Sequence, residues 1–340
     1  MSVDRGERLY ATGLRRTRAR HAVLAGLGSA NWPMIHRQLA AKSSPKAIDK
    51  IDLCHTITKI GLSGLLHVVL VLLLAAVTAT TACSKNPRSL EVFVGSATKP
   101  AIEEAAAVFE RKTGVKVLLH FGGSGKMLSE LKLARRGDLY FPGSSDFMDM
   151  ARRENLVLAE TEKHVAYLVP AINVPAGNPR NIRTLEDLTR PGLRIGIARP
   201  DSVCVGLYAA EVLERAGLAE RIRPNIVTHA ESCEKTAQLV ALGTVDAVMG
   251  WEVFHHWQPD KIETVFLSPD QVARIGYIPI AVSVFSKQRP LAQKFIDFLV
   301  GQEGQAVFRK WHYLTSVEEA RKLARPETPV GGEWKLPAGW

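Results

Sequence analysis

Residues 115–145 read VKVLLHFGGSGKMLSELKLARRGDLYFPGSS and show the alternation that decides the fold. An apolar run that begins at Val115 ends in the Gly-Gly-Ser-Gly turn at 122–125, and helix-forming residues follow as far as Arg135. A second apolar run at 138–141 ends in the turn Pro-Gly-Ser-Ser. Short apolar runs that alternate with helical segments predict a mostly parallel sheet covered by helices.

The same alternation continues on both sides of this stretch. Upstream, a strand at 90–94 precedes a helix with Thr98 as its N-cap, Pro100 in its first turn and Gly114 as its stop. Downstream, strands are predicted at 194–198, 226–228 and 247–249, with helices between them. The chain is therefore predicted to be of the α/β class.

Two long apolar runs, at 164–170 and 277–284, predict strands that cross between two lobes. Lobe 1 is expected to comprise 88–169 and 280–315, and lobe 2 to comprise 170–279. Two lobes joined by two crossing strands leave a ligand cleft between them. The residues after the second lobe 1 segment, 316–340, are rich in Pro and Gly and predict a loose tail without an assigned function.

The net charge of +10 is concentrated near the N-terminus. Eleven Lys and Arg against four Asp and Glu give residues 1–60 a charge of +7, which leaves +3 for the rest of the chain. Such a balanced remainder lacks the basic surface that binds phosphate backbones. Nucleic acid is therefore excluded as a partner.

An apolar segment, GLSGLLHVVLVLLLAAVTATTA at 61–82, follows Lys59 and precedes Cys83. It is typical of a secretory signal. The small residues before Cys83 resemble a bacterial lipoprotein cleavage box, in which that cysteine carries the lipid. An uncleaved membrane helix is the alternative, because about 20 apolar residues span a bilayer. Both interpretations make 1–83 a leader or anchor and place the rest of the chain outside the cytoplasm, in the periplasm.

Residues 1–56 are much longer than the charged region that normally precedes a signal segment. We expect translation to start downstream of the first residue, so that this stretch is absent from the cellular protein.

Four predicted strand-to-helix turns carry small or hydroxyl residues. Ligands of open α/β sheets bind beyond the carboxyl ends of the strands, where helix N-termini offer free N–H groups and positive partial charge to an anion. Gly and Ser also mark turns for conformational reasons alone. Their joint placement nevertheless favours an oxyanion site built from the turns 95–97, 122–125, 202–206 and 231–233.

These turns lie within segments that resemble the periplasmic molybdate- and tungstate-binding proteins, which have the type II periplasmic binding protein fold. The resemblance covers 90–315 and is most specific at the Gly-Ser-Gly turn and the GDLYFPGS strand after it. It implies a monomeric solute-binding protein of an ABC importer, with a membrane permease as partner and no cofactor. The matching segments are 92–117, 121–149, 200–218, 231–252 and 277–285.

The resemblance also implies the ligand contacts: serine hydroxyls from the first two turns and backbone N–H groups from the last two. A tyrosine of some family members is replaced near Trp251, so that hydroxyl is missing and the choice between molybdate and tungstate stays open. Alternative ligands are a phosphate- or sulfate-like anion, a ferric ion or a small organic molecule. The implied ligand-binding positions are Ser96, Ala97, Ser124, Val205, Cys233 and Trp251.

An enzymatic alternative is a protein similar to porphobilinogen deaminase, which shares the two-lobe plan. That enzyme is cytoplasmic, whereas this chain carries an export signal. The sequence contains no Ser-His-Asp or HExxH motif, so no catalytic residue is predicted. No metal site is expected other than the metal of the oxyanion itself.

Four cysteines are present, and Cys54 and Cys83 belong to the leader. Cys204 and Cys233 lie in two turns expected to approach one ligand, and an oxidising compartment favours a disulfide between them. Two thiols that bind a soft metal, or a catalytic thiol, are the alternatives. The pair His255-His256 is expected on an extended segment, where neighbouring side chains point to opposite sides, and is assigned a surface or packing role.

Overall fold

The computed structural model describes residues 88–340. The predicted leader, including Cys54 and the lipidation site Cys83, lies outside the described residues. The described part contains two five-stranded mixed sheets with helices packed on them, which confirms the α/β prediction. Among residues 88–340, no helix combines the length and the apolar character needed to cross a bilayer.

Ten strands form the two sheets, ordered β2-β1-β3-β10-β4 in the first and β7-β6-β8-β5-β9 in the second. In each sheet four strands run in the same direction and one runs antiparallel to them, β10 in the first sheet and β5 in the second. The strands are β1 (Ser89–Gly95), β2 (Lys116–Gly122), β3 (Leu139–Phe141), β4 (Lys163–Leu168), β5 (Pro170–Pro175), β6 (Ile195–Ala198), β7 (Ile226–Ala230), β8 (Ala247–Trp251), β9 (Ile262–Phe266) and β10 (Gly276–Val282).

Helices connect and cover the strands, and short 3₁₀ turns lie at Ser96–Thr98, Ala159–Thr161, Glu186–Thr189 and Arg223–Asn225. The α-helices are α1 (Lys99–Thr113), α2 (Ser124–Ala134), α3 (Ser145–Arg153), α4 (Cys204–Arg215), α5 (Ala219–Ile222), α6 (Cys233–Ala241), α7 (Phe254–Trp257), α8 (Arg289–Val300), α9 (Gln302–Lys310) and α10 (Val317–Arg321).

Helix α1 has the boundaries that its sequence predicts. Thr98 is the N-cap position, Pro100 lies in the first turn, and Gly114 ends the helix with φ 66°. That left-handed backbone suits glycine, which has no Cβ to clash with the preceding carbonyl. The apolar face of α1 is buried in the core of lobe 1.

Helices α4 and α6 begin earlier than predicted, at Cys204 and Cys233. Val203 and Ser232 have extended backbones and act as N-caps, and the Ser232 hydroxyl accepts a hydrogen bond from the N–H of Lys235 at 3.1 Å. Both cysteines are therefore first-turn helical residues rather than loop residues.

Val169 alone links β4 in the first sheet to β5 in the second, as expected for the first crossing. The second crossing was predicted at 277–284, and this position is wrong. β10 pairs with β4 from its first residue, Gly276 opposite Leu168, so the chain returns to the first sheet within 267–275. Residues 276–279 consequently belong to lobe 1, because antiparallel pairing holds them in its sheet.

The C-terminal segment is not a loose tail. Its helix α10 starts with a capping box between Ser316 and Glu319. Further on, Ile275 donates its N–H to the carbonyl of Pro329 at 2.9 Å and accepts from the N–H of Gly331 at 2.8 Å. Backbone pairing with the second crossing therefore fixes the segment.

Candidate functional site

The expected ligand turns follow the carboxyl ends of parallel strands in both sheets. Ser96 follows β1, and Ser124 begins α2 just after β2. In the second sheet, α4 begins at Cys204 after β6, and α6 begins at Cys233 after β7. The N-termini of three helices and one 3₁₀ turn thus face the region between the sheets.

Turns from the two lobes touch each other. The Ser96 hydroxyl of lobe 1 accepts a hydrogen bond from the N–H of Glu234 in lobe 2 at 3.3 Å. The N–H of Gly125 donates to the carbonyl of Ser202 at 2.9 Å. The cleft is therefore closed, and we call this set of neutral hydrogen bonds the cleft contact.

Two glycines make this close approach between the lobes sterically feasible. A Cβ at Gly123 would lie 2.9 Å from the carbonyl oxygens of Ser202 and Glu231. A Cβ at Gly143 would lie 2.5 Å from Cys204 Sγ. Any larger residue at these positions would push the lobes apart.

Ser124 is buried, with 1% of its surface exposed, and belongs to a hydrogen-bonded group. Its hydroxyl accepts from the N–H of Gly143 at 3.0 Å, and its carbonyl accepts from the hydroxyl of Tyr140 at 2.9 Å. Burial raises the pKa of Tyr140, so the phenol stays neutral and keeps its donor proton. The turn is therefore held in place before any ligand arrives.

Ser96 and Ala97 are equally buried. The hydroxyl of Tyr313 donates to the carbonyl of Ala97 at 2.6 Å, which fixes the turn after β1. Ser96 lines a cavity of ≈ 130 Å³, larger than the roughly 30 Å³ that one water occupies. The other residues lining this cavity are Phe121, Gly122, Lys126, Glu231, Ser232, Glu234 and Lys235.

Cys204 and Cys233 are both free and buried, and their sulfurs lie 3.4 Å apart. The predicted disulfide is therefore not formed in this structure, because a disulfide bond is about 2.05 Å long. Burial, with Cys233 next to it, raises the pKa of the Cys204 thiol, which also contacts the Ser124 hydroxyl and the N–H of Val205. The Cys204 thiol is thus neutral, and we include it in the cleft contact.

Trp251 is fully buried in β8 but is the outlier among the six expected positions. Its ring packs edge-on against Tyr208, with 5.0 Å between ring centroids, and it lies opposite Pro170 beside the first crossing. Its indole N–H has no hydrogen-bond partner within residues 88–340. The turns that carry the other five positions contact one another. No hydrogen bond links Trp251 to Ser96 or Ser124.

Two further buried hydroxyls lie near these turns and were not predicted as site residues: that of Thr98, after β1, and that of Ser144, in the turn after β3. Thr98 and Ser144 are 0% exposed, and neither hydroxyl has a partner among the described residues. Thr98 was predicted only as a helix cap, yet its side chain makes no capping bond. The sequence offers one indication of a role for them in the site: Thr98 follows Ala97, and Ser144 follows Gly143.

A second contact between the lobes is ionic. The guanidinium of Arg274, on the second crossing, donates from Nε to Glu211 of α4 at 2.8 Å and from Nη1 to Asp146 of α3 at 3.2 Å. It also lies 4.2 Å from the ring centroid of Tyr208 and donates to the carbonyl of Gly332. We call Arg274, Asp146 and Glu211 the charged cluster; all three are buried.

The histidine pair differs from its expected arrangement. His255 and His256 lie in helix α7 rather than on an extended segment. His256 stacks on His312, which follows α9, with ring centroids 3.8 Å apart. Burial and, secondarily, His312 and His255 lower the pKa of His256 to about 4. Within residues 88–340, no three or more His, Cys, Asp or Glu side chains are grouped so that they could hold a metal ion.

Comparisons with known proteins agree with this architecture. The molybdate-binding protein ModA of Mycobacterium tuberculosis is 27% identical over 256 residues, which covers 73% of this chain and 95% of that protein. The periplasmic molybdate-binding protein of Azotobacter vinelandii has a TM-score of 0.60 at 18% identity, over 67% of this chain and 99% of that chain. The sulfate-binding protein SubI of M. tuberculosis has a TM-score of 0.63 at 16% identity, over 72% and 94%.

These structural likenesses confirm the two-lobed fold of the type II periplasmic binding proteins. The family model of bacterial extracellular solute-binding proteins matches residues 90–314, which include all the turns of the cleft contact. The chain therefore belongs to the bacterial extracellular solute-binding proteins.

Proposed function

We propose that this protein captures a tetrahedral oxyanion, molybdate or tungstate, in the cleft and delivers it to the membrane permease of an ABC importer. The observation that carries the proposal is the meeting of four N-terminal turns, two from each lobe, at Ser96, Ser124, Val205 and Cys233. The relative of M. tuberculosis, named a molybdate-binding protein, supports the same ligand class.

Neutral groups supply the donors in this proposal. The first N–H groups of a helix have no acceptor within the helix and carry positive partial charge, so they bind anions well. Ser96 and Ser124 would donate their hydroxyls, while Ala97, Val205 and Cys233 would donate backbone N–H groups. Trp251 would contribute its indole N–H where some relatives in the resembled family have a tyrosine hydroxyl.

Lysines near the cleft are already paired with glutamates. Lys99 lies 2.6 Å from Glu234, and Lys235 lies 2.7 Å from Glu231. A cation in such a pair has less charge to offer a ligand, and exposed pairs are further screened by solvent. The hydroxyl and N–H donors are consequently assigned the main part of the binding.

Sulfate and phosphate are the competing ligands, because hydroxyl and N–H groups can donate hydrogen bonds to any oxyanion whose size fits their spacing. The buried hydroxyls of Thr98 and Ser144, which lack protein partners within residues 88–340, favour an oxyanion over an apolar solute. A larger anion reaches more of these donors at once. We therefore place molybdate and tungstate ahead of sulfate.

We further propose that the protein acts as a monomer anchored outside the cytoplasm through a lipid on Cys83. The apolar segment at 61–82 and the small residues before Cys83 support this anchoring. Extraction of wild-type and Cys83→Ala protein from cells checks it: the wild type should partition with membranes and the variant should be released. Equal partitioning would contradict the lipid anchor.

Calorimetric titration of the full chain with molybdate, tungstate, sulfate and phosphate tests the ligand assignment. We expect saturable binding of molybdate and tungstate, with weaker binding of sulfate and phosphate. Preferential binding of sulfate would reassign the ligand within the oxyanion class. Absence of binding by all four anions would contradict the proposed function.

A further inference from the structure

Two thiols lie inside the proposed anion site. Cys204 and Cys233 are the first residues of α4 and α6, so each thiol belongs to a helix whose N-terminal N–H groups are proposed ligand donors. Their sulfurs are 3.4 Å apart, and each residue is 1% exposed. Neither residue has a thiol partner elsewhere in residues 88–340, which contain only these two cysteines.

The Cys204 thiol also reaches across to lobe 1. It contacts the hydroxyl of Ser124 and the N–H of Val205, both proposed ligand groups. It lies so close to Gly143 that a Cβ there would be 2.5 Å from its sulfur. A change in the position of this sulfur therefore changes the closed cleft directly.

Closure of the lobes determines when the thiols are accessible. With 1% exposure, neither sulfur is open to a reagent in solution while the cleft is closed. Both side chains belong to lobe 2, so separation of the lobes exposes the pair without pulling its members apart. Ligand that favours the closed form should protect both thiols, because reaction requires opening.

We propose that Cys204 and Cys233 form a reversible redox pair that controls oxyanion affinity: the dithiol form binds the anion and the disulfide form binds it weakly. This inference rests on the proposed function. In the open form a small disulfide oxidises the pair by thiol–disulfide exchange. Both S–H bonds are lost, one S–S bond forms, and the oxidant leaves as two thiols that take up the two protons and two electrons.

The loss of affinity follows from geometry. Bond formation draws the sulfurs from 3.4 Å to about 2.05 Å and so shifts the first turns of α4 and α6 relative to each other. These turns carry the donors Val205 and Cys233, and anion binding depends on donor positions to within a few tenths of an ångström.

The test uses the full chain in reduced form and after treatment with oxidised glutathione, with peptide mapping to follow Cys204 and Cys233 separately from Cys54 and Cys83. Molybdate titration should give at least roughly tenfold weaker binding for the oxidised form, equivalent to about 1.4 kcal/mol. The double variant Cys204→Ser with Cys233→Ser cannot form the bond, so its own affinity for molybdate, whatever its value before treatment, should not change on treatment with the oxidant. Molybdate should also slow alkylation of both thiols in the reduced wild type.

The outcomes separate the two proposals. Equal affinity of the reduced and mapped disulfide forms would overturn the redox inference and leave the proposed function standing. Failure of the two cysteines to pair under the oxidant would also overturn it. If the reduced wild type binds none of the four oxyanions, the proposed function fails and this inference fails with it.

Discussion

In the cleft contact the lobes meet through hydroxyls, thiols and backbone N–H groups, whereas in the charged cluster they meet through a guanidinium and two carboxylates. Both contacts are buried. Separation of Ser96 from Glu234 frees only a hydroxyl and an N–H. The ion pair of Lys99 with Glu234 also joins the lobes here, but both side chains are about 30% exposed, so water can solvate their charges when the lobes part. Separation of Arg274 from Asp146 and Glu211 would leave charges in a poorly solvated region.

The difference suggests a division of tasks between the two contacts. The neutral contact suits a surface that must open, accept an anion and close again at low cost. The charged cluster lies on the second crossing, and Asp146 also accepts from the N–H of Trp334 in the C-terminal segment at 3.1 Å. The charged cluster is therefore suited to stay intact while the lobes move around it.

The largest effect is expected from Arg274→Met, which breaks the charged cluster. Removal of the guanidinium leaves Asp146 buried without a cation and leaves Glu211 with only the exposed Arg215, 2.8 Å away. The free energy of unfolding should therefore fall by about 3–5 kcal/mol. Urea denaturation followed by circular dichroism measures it.

The matched control is Arg325→Met, because Arg325 forms an exposed pair with Glu327 at 3.8 Å. Such a surface substitution should change the unfolding free energy by less than about 0.5 kcal/mol. Equal effects of the two substitutions would show that the charged cluster is not a fixed structural point.

A smaller effect, on binding rather than stability, is expected from Ser124→Ala in the cleft contact. Loss of one hydrogen bond to a charged ligand costs about 1.5–3 kcal/mol, or roughly ten- to a hundredfold in Kd. Molybdate titration measures it, with Ser129→Ala on the exposed side of the same helix as control. An unchanged Kd for Ser124→Ala would remove this serine from the site.

Glu252 extends the comparison to a buried carboxyl group whose pKa is raised by burial and is not lowered by a nearby cation. Its carboxylate oxygen accepts from the N–H of Val169 at the first crossing at 2.7 Å, and burial raises its pKa to about 8. A raised folded-state pKa means that the stability contributed by this group is complete below pH 4.5 and is lost as pH rises through 8.

Glu252→Gln keeps the acceptor and cannot ionise, so its stability relative to the wild type should increase as pH rises across that window. Denaturation at several pH values measures the difference, and Glu263→Gln, an exposed change on β9, is the control. A Glu252→Gln difference that is constant with pH would contradict a buried neutral carboxyl.

The smallest effect is expected from His256→Phe, which keeps the stack on His312. Burial lowers the pKa of His256 to about 4, so the stability it contributes is present above pH 6.5 and is lost as pH falls through 4. The variant should therefore lose less stability in acid than the wild type. Thermal unfolding against pH measures this, with the exposed His229→Phe as control. Identical acid profiles for all three proteins would show that the stacked pair does not titrate with folding.

Local patterns in the sequence were sufficient for the lobes and for the turns of Ser96 and Ser124, because strand, turn and helix each depend on neighbouring residues. The charged cluster was not predictable in this way: Arg274 lies 128 residues from Asp146, and nothing local marks them as partners. The fixing of the C-terminal segment by Ile275 is equally non-local. The separation of the two sulfurs depends on how α4 and α6 pack, which one sequence does not specify.

The most direct test of the oxyanion site is anomalous diffraction at the molybdenum edge from crystals of the full chain grown with molybdate. The proposed function predicts one strong anomalous peak between the lobes. Oxygens around that peak should lie within hydrogen-bond distance of the Ser96 and Ser124 hydroxyls and of the N–H groups of Val205 and Cys233. A peak elsewhere on the molecule, or no peak in crystals soaked to saturation, would contradict it.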